Sequence, residues 1–235
     1  MKISRAYHNM KRSEINRAIN FAKKGLEMYN FKLPKFGYWE VKDFIQQQNV
    51  TEIVELMLGW DVTDFGQGDF DSLGAVLFTL RNGKLDGSMG VPYAEKLIIL
   101  KEGQRLPLHC HKDKTEDIIN RFGGVLSITL FESVDGVIDS NRDVEVYIDS
   151  VKTVVEPGSE LLLHPGQSIT IKPNQYHFFG AKQGFGDLIC GEVSSVNDDV
   201  IDNYFAEEVN RFTCIEEDEK IRHILCNEYK EVLKL

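Results

Sequence analysis

Two histidines one residue apart, His109 and His111, are followed five residues later by a carboxylate, Glu116. Side chains alternate along a strand with a period of two, so both imidazoles belong to one face. A turn over the polar residues 112–115 would return Glu116 to that face. Two imidazoles and a carboxylate on one surface suit a borderline divalent metal such as manganese, iron, nickel or zinc. A His-x-His pair in a strand is more often incidental than metal-binding. Here Gly103 and Gly123 bracket the pair and its glutamate, and His177 follows Pro173 in a strand-rich stretch downstream. Together these make His109, His111, Glu116 and His177 a candidate ligand set.

Four protein ligands would leave one or two positions for substrate oxygens or dioxygen on a five- or six-coordinate ion. The set alone fits a non-haem iron oxygenase, a manganese oxidase, a sugar isomerase or a metal-holding binding protein. Lys114 lies between the second histidine and the glutamate, Lys96 is on the preceding predicted strand, and Glu207 and Glu208 follow the strand-rich region. Lysines and extra carboxylates near a metal favour a hydroxyl-rich substrate that exchanges protons.

The elements that must hold these groups are mostly strands. Strand patterns cover residues 74–80, 93–100, 125–131, 144–148, 153–155, 160–163, 168–171 and 188–193. Short strands at such regular spacing predict a sandwich or small barrel. Asn82-Gly83 and the two Pro-Gly pairs at 157–158 and 165–166 read as turns. Ser13 is a candidate cap for an amphipathic helix lasting to about Tyr29, with Ile15, Ala18, Ile19, Ala22 and Leu26 on one stripe. Residues 41–48 and 50–57 suggest two short helices, 61–68 a loop, and 217–233 a closing helix begun by the acids 216–219. The expected class is mainly β, a barrel with flanking N- and C-terminal helices. The expected division is one domain over 1–235, with a helical lead-in at 1–70, a barrel core at 73–195, and a loop and helix at 196–235.

At 235 residues the chain can bury one sizeable core, and 42% hydrophobic with 27% charged residues is a globular composition. A net charge of −10 argues against nucleic acid and anionic membranes as partners. Cys110, Cys190, Cys214 and Cys226 form no Cys-x-x-Cys pair and read as thiols of a reducing compartment. No apolar run has signal-peptide or membrane-spanning length, so a cytoplasmic location is expected.

The spacing Gly103, His109, His111, Glu116, Gly123 resembles the first cupin motif, glycine-x5-His-x-His-x4-Glu-x6-glycine. The second cupin motif resembles Pro173-Asn-Gln-Tyr-His177, one residue shorter here and without its internal glycine. The barrel is thus expected to be a cupin-type jelly roll. Longer runs are similar to the D-lyxose isomerase family: Tyr93-Ala-Glu-Lys96, the stretch from His109 to Arg121, Gly191-Glu-Val-Ser-Ser-Val-Asn-Asp-Asp199, and Arg211-Phe212 before Glu216-Glu-Asp218.

That resemblance implies a homodimeric, manganese-preferring enzyme that interconverts aldoses and ketoses, with D-lyxose/D-xylulose and D-mannose/D-fructose as its pairs. Zinc, cobalt, nickel or iron remain open as the divalent ion. The resemblance makes His109, His111, Glu116 and His177 the ligands, and Lys96, Lys114, Glu207 and Asp218 contacts of a small neutral monosaccharide. Glu207 is the expected catalytic base, with Glu208 adjoining it, and Lys114 is expected to steady a metal-bound cis-enediolate. Two other readings stay open: an isomerase of a phosphorylated sugar, and a cupin that binds a sugar without turning it over. A hydride shift competes with the enediol route.

Overall fold

The computed structural model describes residues 8–198 and 202–235. Residues 1–7, part of the stretch inspected for a signal peptide, lie outside the described residues, as do 199–201, which include the end of the motif at Asp199.

In chain order the strands are β1 (Asn9–Lys11), β2 (Gly59–Thr63), β3 (Ala75–Gly83), β4 (Gly90–Leu100), β5 (His109–His111) and β6 (Glu116–Gly123). Next come β7 (Leu126–Val134), β8 (Val137–Asp139), β9 (Val144–Ile148), β10 (Val151–Val155) and β11 (Glu160–Leu163). The last are β12 (Ser168–Ile171), β13 (Tyr176–Ala181), β14 (Leu188–Ser194), β15 (Asn203–Phe205) and β16 (Cys214–Glu216). Helices α1 (Arg12–Met28), α2 (Val41–Gln46), α3 (Thr51–Glu55) and α4 (Tyr229–Leu233) flank them.

Two antiparallel sheets face each other. One runs β10-β9-β12-β6-β14-β4-β3-β2, and the other β11-β7-β13-β5-β15 with β8 attached to β7. Period-two alternation sends one set of side chains from each sheet into the space between. At one end that space is apolar, filled by Leu100 and Ile98 of β4, Leu188 and Cys190 of β14, Ile118 of β6, and Ala181 and Phe179 of β13. One step further along, the series becomes polar: Lys96, Glu192, Glu116 and His177, all buried. The fold therefore builds a hydrophobic floor and a polar mouth from the same strands.

The outer face of the larger sheet carries Val76, Phe78, Leu97 and Ile99, which pack on Ile15, Ala18, Ile19, Ala22 and Leu26 of α1. Burying each of the larger aliphatic side chains of that stripe contributes about 2 kcal/mol. The helix stripe read from the sequence is the one that packs. None of the four cysteines is in a disulfide, and Cys214 alone of them is exposed.

Four local expectations are corrected. Ser13 does not cap α1: Lys11 precedes the helix and its N–H donates to Glu14 Oε2 at 2.9 Å, while Ser13 donates from N and Oγ to Asp218. Residues 61–63, expected to open a loop, instead complete the strand Gly59–Thr63, every residue of which is buried. Asn82-Gly83 is not the turn: β3 runs through Gly83, and the reversal is closed by Lys84 N–H donating to Met89 O at 2.9 Å.

The fourth concerns the C-terminus, where no helix starts at 217. The acids there bind α1 instead, with Glu217 and Glu228 gripping Arg12, Asp218 holding Ser13 and Glu219 accepting from Asn16. Only Tyr229–Leu233 is helical. Arg12 has no exposed side-chain surface, whereas Glu217 is half-exposed at 52% and Glu228 is 15% exposed. Removing the cation strands Glu228, so Arg12→Ala is expected to cost about 3 kcal/mol, the low end for a broken buried pair because Glu217 keeps water. A denaturant-unfolding midpoint equal to wild type would show that this clamp does not tie the C-terminal segment down.

Candidate metal centre

The histidines come from the smaller sheet. His109 and His177 are direct register partners between β5 and β13, and His111 lies two residues along β5, opposite Asn203 of β15. Cys110, between the two histidines, takes the other face, as alternation requires. Glu116 opens β6 in the larger sheet, reached through the turn that follows His111. Gly103 and Gly123, which bracket the motif, have φ of 79° and 90°, where a side chain would be strained. At Gly123 a Cβ would also strike the carbonyl of Asp187.

The three imidazoles bring one ring nitrogen each to within 4.8 Å of one another. Each Nδ1 is turned away from that point toward a backbone carbonyl: His109 toward Pro107 at 2.8 Å, His177 toward Gln175 at 3.1 Å, and His111 toward Asp202 at 3.2 Å. A carbonyl only accepts, so each Nδ1 carries a proton, and Nε2 is the ring nitrogen left to face the shared point. This outward bond is the usual support of a metal-bound histidine.

Glu116 Oε1 lies 3.1 Å from His177 Nε2 and 3.4 Å from His111 Nε2. Glu116 Oε1 and His177 Nε2 are both buried without a hydrogen-bond partner. Buried acceptors facing each other are costly unless a cation lies among them. The electrostatics ask for the same thing. Burial would lower the pKa of His111, but the Glu116 carboxylate outweighs it and raises the value to about 9. Burial and the neighbouring imidazoles hold His109 well below the usual histidine range. A divalent ion would take the place of the proton on His111, and three imidazole nitrogens with one carboxylate oxygen suit manganese, iron, cobalt, nickel or zinc.

His109, His111 and Glu116 line a cavity of about 40 Å³, together with Lys96, Lys114, Glu192, Asn197, Phe205 and Arg211. Lys114 is buried, with Nζ 2.9 Å from Glu116 Oε2 and 3.0 Å from Glu192 Oε1. Burial opposes its charge, but the two carboxylates prevail and raise its pKa. Lys114 is therefore a fixed ammonium and not a base. Lys96 sits on β4 across from Glu192 of β14. Arg211 is held by Asp61 at 2.6 Å.

Lys96, Lys114 and the four ligand candidates are thus brought together, whereas Glu207 and Asp218 are not. Glu207 follows β15 with an exposed side chain, as does Glu208, and neither lines the cavity. Asp218 is exposed and occupied with Ser13 at the start of α1, whose hydrogen bonds lower its pKa. The acids that do line the cavity are Glu116 and Glu192. Glu192 lies in the family-like run Gly191–Asp199, which by itself assigns it no role. Its signal was the alternation Cys190, Glu192, Ser194 on a strand whose apolar members face the core.

The family model described as D-lyxose isomerase matches residues 10–229. A D-lyxose/D-mannose isomerase of Escherichia coli O157:H7 is 41% identical over 225 residues, covering 94% of this chain and 99% of that protein. One from Serratia proteamaculans is also 41% identical over 225 residues, with 94% and 98% covered. Among solved structures, Cellulomonas parahominis L-ribose isomerase with L-ribose superposes at a TM-score of 0.60 and 15% identity, over 89% of this chain and 100% of that one. Acinetobacter sp. DL28 L-ribose isomerase with L-ribose gives 0.59 and 16%, over 90% and 100%. At that identity the likeness establishes the barrel fold alone.

Proposed function

The chain belongs to the D-lyxose isomerase family, and on that footing we propose that it is a metal-dependent aldose–ketose isomerase acting on D-lyxose/D-xylulose and D-mannose/D-fructose. The observation that carries this reading is the convergence of His109, His111, His177 and Glu116 on one buried point, with a second buried carboxylate, Glu192, on the adjoining wall. Manganese as the ion, a homodimer and a cytoplasmic location belong to the same reading and come from the family resemblance. No helix of the described residues is long and apolar enough to cross a membrane.

His109, His111, His177 and Glu116 would hold the ion. When bound, a divalent ion supplies Lewis-acid polarisation of the sugar carbonyl and its neighbouring hydroxyl. The remaining work falls to the chain's own groups. Isomerisation moves a proton between C2 and C1 of the open-chain sugar. We assign that transfer to Glu192 in place of Glu207. The Glu192 carboxylate takes the C2 proton, the C–H electron pair becomes the C1–C2 double bond, and the carbonyl π pair passes to O1, which takes up the proton of the O2 hydroxyl. As the C2–O2 double bond forms, the C1–C2 pair takes the proton back from the same carboxyl at C1. Lys114, 3.0 Å from Glu192 Oε1, orients that carboxylate and places positive charge beside the developing enediolate. A hydride shift would need no base at carbon, and deuterium appearing at C1 of fructose in heavy water would show proton transfer instead.

Because its side chain is exposed and off the cavity, Glu207→Gln is expected to keep kcat within about twofold of wild type, the effect of an ordinary surface change. A loss of a hundredfold would restore Glu207 as the base. The substrate class is tested by incubating manganese-loaded protein with D-lyxose, D-mannose and mannose 6-phosphate. D-xylulose and D-fructose are expected from the first two. Turnover of the phosphate ester alone would contradict the neutral-sugar reading.

A further inference from the structure

Asn82 and Gly83 have the composition of a turn, yet they continue β3, so the asparagine's amide is free for other work. Its Nδ2 donates to Asn197 O at 2.8 Å, and Asn197 N donates to Asn82 Oδ1 at 3.1 Å. Both arms of one side chain are thus spent on the backbone of a single residue 115 positions away. Asn82 is 8% exposed and Asn197 6%. Strand β14 ends at Ser194, so Asn197 has no sheet partner to fix it. The Asn82 amide replaces one.

The fixed residue reaches the reaction site. Asn197 Oδ1 accepts from Lys114 Nζ at 3.3 Å. An ammonium has three protons, and Lys114 has three acceptors: Glu116 Oε2, Glu192 Oε1 and Asn197 Oδ1. Two are carboxylates anchored on β6 and β14. The third is neutral, lies outside the sheet and depends on Asn82. Asn82 and Asn197 also line a second, larger cavity of about 510 Å³ that shares Lys96 and Asn197 with the metal cavity. Without the clamp, Asn197 has room to turn into that space and leave Lys114 with two acceptors.

We propose that Asn82 is a positioning residue for catalysis, holding Asn197 so that its side chain fixes the Lys114 ammonium between Glu116 and Glu192. The proposal rests on the isomerase reading above. It is tested by steady-state kinetics on metal-loaded Asn82→Ala, Asn197→Ala and the double variant, with metal content and melting temperature measured on each. The expected result is a fall of about tenfold in kcat for each single variant, little change in sugar KM, one metal per chain, and a double variant no worse than either single one. Asn82→Asp, which keeps the acceptor for Asn197 N–H, is expected to recover part of the loss.

Unchanged kcat in Asn82→Ala, with or without a lowered melting temperature, would make the clamp merely structural and overturn the proposal. Losses that multiply in the double variant would overturn it as well, since the two residues would then act separately. If Asn82→Ala does not fold, Asn197→Ala, which keeps both backbone bonds to Asn82, carries the kcat prediction alone. Wild-type protein that forms no ketose would remove the isomerase reading itself, an outcome distinct from wild-type turnover with an unimpaired Asn82→Ala.

Discussion

Glu192→Gln is expected to lower kcat by about 10²–10⁴, the usual worth of an acid–base group, while metal content and sugar KM stay near wild type. Glutamine is almost isosteric, and its carbonyl can still accept from Lys114 and from Ser194 Oγ, which meet Glu192 Oε1 at 3.0 and 3.3 Å. The metal donors are untouched. What disappears is the capacity to take a proton from C2. Ketose formation measured beside metal analysis separates this from misfolding, and wild-type kcat in Glu192→Gln would move proton transfer to another group.

His111→Ala acts on the other half of the centre. Losing an outer-shell partner of a metal ligand typically costs 10–100-fold in affinity, so losing a donor itself should cost about 10²-fold or more. Metal and turnover should vanish together. Cys110→Ala provides the internal control, because Cys110 is the adjacent residue on the opposite face of the same strand. That variant should retain one metal per chain. Equal metal retention by both variants would contradict the face assignment on which the ligand set depends.

The parts of the protein written in local patterns were legible in the sequence. His109, His111 and Glu116 needed only strand alternation and a turn, and His177 lay in a strand-rich stretch. The α1 stripe was equally direct. Strand 59–63 was missed because it is buried throughout, which erases the alternation that marks a half-exposed strand. The acids at 216–219 have the composition of a helix start, but their partners, Arg12, Ser13 and Asn16, lie some 200 residues earlier. Glu192 and Asn197 meet Lys114 only through the pairing of β14 with β6, where Ser194 aligns with Glu116. No spacing within one segment encodes that register. Glu207 meets the same limit: acid-rich composition after the barrel says nothing about which carboxylate turns inward, and its side chain is exposed.

The most direct measurement is activity against bound metal. Protein stripped with a chelator is reloaded stepwise with manganese, and D-mannose isomerisation is scored at each step beside the metal content. The account predicts no turnover at zero metal, a linear rise, and a plateau at one ion per chain. Full D-fructose formation by the stripped protein would contradict it.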